Sequence, residues 1–166
     1  MSVEGLLAVL QNSTVGRTIS GNIGSGWWFA NIETLHVLAT SAVFGSIAMV
    51  DLRLLGVTSR DSTVSRLSQE VLVYTWVAFA LSVITGTLLF ISKAETYFHN
   101  LQFQLKFLFM ALAGLNMLMF HFGTYRRVLQ WDNALPPPIG ARLAGALSLA
   151  LWICVIFMGR WIGFKT

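Results

Sequence analysis

WFANIETLHVLATSAVFGSIAMV, residues 28–50, holds one acid and one histidine in a run that is otherwise uncharged. At ~1.5 Å per residue, a helix of that length covers the ~30 Å hydrocarbon core of a bilayer. Three further apolar stretches of comparable length lie at 71–92, 101–125 and 141–163. The chain of 166 residues is 55% hydrophobic and 11% charged, with a mean hydropathy of +0.69, too little polar surface for a water-soluble domain of this size. The predicted fold is therefore all-α: a four-helix transmembrane bundle. Its connections are short, which makes sequential helices antiparallel neighbours.

The first stretch starts too late, and lacks the basic start and small-residue cleavage pattern, to be a removable signal peptide. Ahead of it Val3, Leu6, Leu7, Leu10 and Thr14 recur at helical spacing, before the breaker GNIGSG. That pattern predicts a short N-terminal interfacial helix, the alternative being an unstructured tail. The chain divides accordingly into an interfacial segment, 1–26, and a transmembrane domain, 27–166. Asp61-Ser62-Thr63 is a helix start signal, and the run Leu135-Pro136-Pro137-Pro138 a stiff spacer before the fourth span.

Basic residues set the expected orientation. Arg53, Arg60, Arg66, Arg126, Arg127 and Arg142 flank the 1–2 and 3–4 connections, against Arg17, Lys93, Arg160 and Lys165 at the other ends. This bias places both termini outside the cytoplasm, in a multi-pass membrane protein. The net charge of +4 then reflects topology and contact with the lipid bilayer, and calls for no nucleic acid. The single cysteine, Cys154, excludes an internal disulfide and multi-cysteine metal frameworks. No hydrolase triad, phosphate-binding glycine loop or zinc motif is present.

Ionisable groups at membrane depth are costly and usually face a bundle interior, a ligand or a polar partner. Helical rotation stacks Glu33, His36, Thr40, Ile47 and Asp51 on one side of the first span. It aligns Thr75, Ser82, Gly86 and Lys93 on the second, and Lys106, Met110, Met117 and His121 on the third, with Asn116 at the flank. Ala141, Gly145 and Ser148 form a close-packing seam on the fourth. Glu33 and Lys106 each lie five residues from the outer end of their span, a depth match that predicts a buried ion pair, with snorkelling of Lys106 as the alternative. His36 and His121 differ in depth by about 18 Å.

Three chemistries suit these residues. His36, His121 and Met110 are of the types that ligate b-type haem in an electron-transfer subunit, working with a redox partner protein or a quinone. Histidine and methionine also hold copper, with His36 and His121 as the metal ligands. A third possibility is that each histidine hydrogen-bonds a neighbouring helix and contributes packing alone. Beside the redox reading stand a non-catalytic anchor or accessory subunit, including a homo-oligomer, and a small transporter or proton pathway built on Glu33, His36, Lys106 and Asp51.

IETLHVLATSAVFGSIAMVDLRLLG, TWVAFALSVITGTLLFISKAETYF, the K-x7-G-x-N-x4-H pattern from Lys106 to His121, and RLAGALSLALWICVIFMGRWIGF together resemble an uncharacterised bacterial family of small four-span membrane proteins. The likeness covers most of the chain beyond residue 28. It maps onto Glu33, His36, Asp51, Arg53, Lys106, Asn116, His121 and Arg160, and implies no activity. More distantly the chain is similar to copper-resistance protein D-like and b-type cytochrome membrane subunits. That likeness implies haem held by histidines on facing helices. His99 falls outside the matched pattern.

Overall fold

The computed structural model describes residues 2–24, 26–58, 63–132 and 136–164. Arg60, Asp61, Ser62, Leu135 and Lys165, which entered the sequence reading, lie outside the described residues. Two short helices, α1 (Val3–Gln11) and α2 (Thr14–Ile19), precede α3 (Trp27–Leu54) and α4 (Val64–Ser92). Then come a short α5 (Ala94–Phe98), α6 (Leu101–Phe122), a 3-10 turn (Thr124–Arg127), α7 (Val128–Trp131) and α8 (Ile139–Ile162). No strand occurs among the described residues. Four helical segments are long and apolar enough to cross a membrane, as expected.

The helix ends follow from local chemistry. Thr63 caps α4, its hydroxyl accepting from Arg66 N at 3.2 Å, so the helix begins seven residues before the apolar run. The start of α4 carries the exposed Arg66–Glu70 pair at 2.8 Å, one turn apart on the same helix face. Asn100 caps α6 by accepting from Phe103 N at 3.1 Å. The N-terminal pattern, read as one helix through Thr14, is instead two, because Ser13 caps a second helix by accepting from Gly16 N at 3.1 Å. Leu7 and Ile19 are buried as α1 packs on α5 and α2 on α4.

Packing is most extensive between α3 and α4 and between α6 and α8, and α3 against α8 joins the two pairs. The middle of the bundle is thus α3 and α8, with α4 and α6 outside them. The expectation that sequential spans are neighbours holds for α3–α4 and α6–α8. In contrast, α4 and α6 are not closely packed along their length, and Phe90 of α4 stacks on Phe103 of α6 at 5.4 Å.

Lipid supplies no hydrophobic drive between helices, so the contacts are made by small and polar residues while large apolar ones face out. Ala39, Val43, Thr85, Ala113, Ala141 and Gly145 are buried, whereas Leu38, Val77, Leu115 and Leu147 are exposed. At the end of the bundle where α3 meets α4, Arg53 is 1% exposed and its Nη2 donates to Asp132 O at 3.2 Å. The Asp132 carboxylate accepts from Ser65 N at 2.9 Å and from the Ser65 hydroxyl, which ties the third connection to the start of α4. Gly56, at φ +76°, turns the chain out of α3 against Pro137.

Candidate functional site

His36 enters the α3–α4 interface opposite Gly86. A Cβ at Gly86 would stand 3.0 Å from the imidazole Cε1, so any larger residue would crowd the ring out of its present position. Its Nδ1 lies 3.0 Å from Ser82 O and 3.0 Å from Thr85 Oγ1. The Thr85 hydroxyl gives its own hydrogen to Leu81 O at 2.8 Å, and a carbonyl can only accept, so Nδ1 is the donor to both. A neutral ring protonated at Nδ1 keeps its lone pair on Nε2. Lys106 Nζ stands 3.5 Å from that atom, oriented to donate.

Lys106 reaches this position across the flat face of α8: its Nζ is 3.5 Å from where a Gly159 Cβ would sit, with Cδ and Cε at 3.7 Å. All four spans therefore converge on one imidazole–ammonium contact. Further along the α3–α4 interface, Thr40 Oγ1 donates to His36 O at 2.7 Å and meets Ser82 Oγ at 3.2 Å. Thr75 donates to Ser46 Oγ at 2.8 Å. The interface is lined by hydrogen-bonded hydroxyls, as the stripe of Thr75, Ser82 and Gly86 on the second span predicted.

Other expected residues are placed differently. Glu33 is exposed at the bundle's edge and forms no salt bridge with Lys106; among the described residues the sole ion pair is Arg66–Glu70. Three residues from His36, Glu33 lies ~60° round the helix, where a short carboxylate cannot follow the imidazole inward. It faces Tyr97 instead, whose phenol is pushed up from its ordinary value by burial and then by the Glu33 charge. Lys106 does not snorkel away; it packs on Gly159 and His36.

His121 is exposed and stacks on Tyr125 with centroids 5.3 Å apart. It follows Lys106 by fifteen residues on one helix, about 22 Å of rise, so it does not face a centre shared with His36. The lower half of the third-span stripe thus turns outward, Met117 included at 52% exposure. Met110, one turn below Lys106, is half-buried. Asn116 joins α6 to α8, donating from Nδ2 to Ala144 O at 3.0 Å.

Asp51 is 6% exposed, hydrogen-bonded by Ser148, and its Oδ2 has no hydrogen-bond partner. His99 is exposed beside Phe98. Among the described residues no three His, Cys, Asp or Glu side chains come together as metal ligands.

Sequence reasoning missed Thr85 and Gly159. Thr85 carried a signal, since it follows Ser82 by one helical turn and adjoins Gly86; Gly159 carried none, because only tertiary packing sets Lys106 on it.

The chain belongs to a family of unknown function, DUF6644, which it matches over residues 12–165. No curated protein and no solved structure matches it.

Proposed function

We propose that this DUF6644 protein handles protons inside the membrane, with the His36–Lys106 contact as the place where one proton is held and exchanged. The observation that carries the reading is the geometry of a single ring. Nδ1 is fixed by Ser82 O and Thr85 Oγ1, and Nε2 faces Lys106 Nζ at 3.5 Å. Transfer of a proton from Nζ to Nε2 leaves an amine and an imidazolium, conserves charge, and needs only a small approach of the two atoms. Glu33 stands one turn above on α3 beside Tyr97, as an acid at the mouth, and the hydroxyl pairs Thr40–Ser82 and Thr75–Ser46 extend the polar row inward. With the orientation that the arginine bias favours, the His36 end faces outside the cytoplasm.

The test is flux. Protein reconstituted into vesicles with a trapped pH dye, under a potassium diffusion potential set by valinomycin, should acidify or alkalinise the lumen in proportion to the protein added. A rate equal to that of protein-free vesicles, from protein shown to be folded and inserted, would overturn the reading.

One feature of the same ring favours a second reading, a b-type haem electron-transfer subunit serving a redox partner or quinone. Metal-ligating histidines commonly donate the non-ligating N–H to a backbone carbonyl, as Nδ1 does to Ser82 O. Haem iron or copper at Nε2 would have to displace Lys106 from the same lone pair, and Met110 rather than His121 lies within a turn of that level. Detergent-purified protein from haem-replete cells would then show a Soret band and sharpened bands after dithionite. His36→Ala would abolish them while His99→Ala left them intact. A colourless preparation rules this second reading out.

A further inference from the structure

At the end of the bundle away from His36, the chain leaves α6 at Phe122, turns through Thr124–Arg127 and re-enters the bundle in α8 at Ile139. The turn packs directly on the start of α8, because Gly140 has no side chain; a Cβ there would stand 2.8 Å from Thr124 Oγ1. Beside this contact is an open cavity of about 710 Å³ whose lining includes Phe122, Arg126, Arg127, Gln130 and Trp131.

Arg126 and Arg127 are consecutive, exposed and without an acidic partner among the described residues. The acid nearest to them in the chain, Asp132, is engaged by Ser65 N and the Ser65 hydroxyl. Two guanidinium groups lining one cavity, with no carboxylate paired to them among the described residues, can present their planar N–H forks to the oxygens of a phosphate. A second groove, of about 330 Å³, starts at the neighbouring residue Ile139 and is lined by Leu55, Leu143 and Ala146 with Arg142 at its margin. That groove is apolar. A phosphate beside Gly140 and an aliphatic chain along α8 would occupy the two together.

We infer that this end of the protein binds an anionic phospholipid, its phosphate against Arg126 and Arg127 and one acyl chain in the groove along Leu143. The position suits that occupant, since the cavity lies where two spans end and headgroups begin, and basic pockets at such ends take anionic headgroups. The arginine pair and the apolar groove carry the argument; the first turn of α8, without a side-chain cap, adds to it.

The experiment is native mass spectrometry of the full chain extracted from vesicles containing equal amounts of phosphatidylglycerol and phosphatidylcholine. Wild type should retain phosphatidylglycerol in preference. The double variant Arg126→Gln/Arg127→Gln should retain about thirtyfold less, the loss that two interfacial arginines of ordinary strength imply. A charge-matched control, Arg17→Gln/Arg160→Gln, alters two exposed arginines, one in α2 and one in the last turn of α8, and should stay within about twofold of wild type, as distant exposed charges are screened. Both double variants change only exposed side chains, and equal helicity by circular dichroism establishes that they fold. Equal loss in the two double variants, or equal retention of the zwitterionic lipid, would overturn the inference. So would displacement of the lipid by millimolar inorganic phosphate, which would mark the cavity as a site for the free anion.

Discussion

Lys106→Met should lower proton flux through the reconstituted protein by at least about tenfold, equivalent to about 1.4 kcal/mol on the limiting barrier. The reason lies in the single contact between Nζ and His36 Nε2 at 3.5 Å: without the ammonium, the imidazole has no partner from which to take a proton. His36→Phe should cost as much, since it removes the acceptor and leaves the lysine in place. Residues that act as one unit are not additive, so the double variant should be no slower than either single one. Gly86→Val supplies an arm that deletes no ionisable group. Its Cβ would press on the imidazole Cε1 at 3.0 Å and Nδ1 at 3.4 Å, turning the ring away from Ser82 O. Flux should fall here too. Unchanged flux in folded Lys106→Met would remove the pair from the pathway, and additive losses in the double variant would show that the two residues act separately.

The largest effect on folding is expected at Gly145. There α8 crosses α3 so closely that a Cβ would stand 2.9 Å from Asp51 O and 3.1 Å from Leu54 Cβ. A backbone carbonyl within a helix cannot rotate aside, so the helices must separate, carrying Ser148 away from Asp51. Overpacking of this kind typically costs about 1–3 kcal/mol, and Gly145→Val adds two methyl groups beyond the Cβ. The variant should lose several degrees of melting temperature in detergent or fail to yield monodisperse protein. Gly114→Ala is the control, because nothing lies within 4 Å of a Cβ there. It should be neutral or slightly stabilising, as alanine is the better helix former. Equal behaviour of the two variants would show that the α3–α8 crossing does not depend on Gly145.

Residues 28–50 and the three later apolar runs made four spans legible, because the thickness of a bilayer sets a length that composition alone can satisfy. Capping was legible on the same terms: Thr63 starts α4 because its hydroxyl is within reach of Arg66 N, a relation local to one turn. The inward stripe of Ser82 and Gly86 could be read from rotation within a single helix. Lys106 could not be assigned its partner that way. Its depth was readable to within a turn, but its side chain spans more than a turn, so Glu33 and His36 were equally reachable along the axis. Arg53, read as an orientation charge, is one of the most buried side chains of the protein, drawn inward by a carbonyl 79 residues away.

By itself, then, the sequence determined the all-α membrane class, the number of spans, their starts, and which residue types lie at each depth. All of these follow from rise per residue, hydropathy and local hydrogen bonds. Only the tertiary structure decided which face of each helix meets which neighbour: that α3 and α8 are central, that Phe90 of α4 stacks on Phe103 of α6, and that Lys106 lies on Gly159 and meets His36. Depth along a helix is a property of one chain segment. Its angle about the axis relative to a neighbour is settled by competing contacts, in which small residues such as Gly86 and Gly145 favour one pairing because a Cβ there would come within 3.0 Å of the neighbouring helix's atoms.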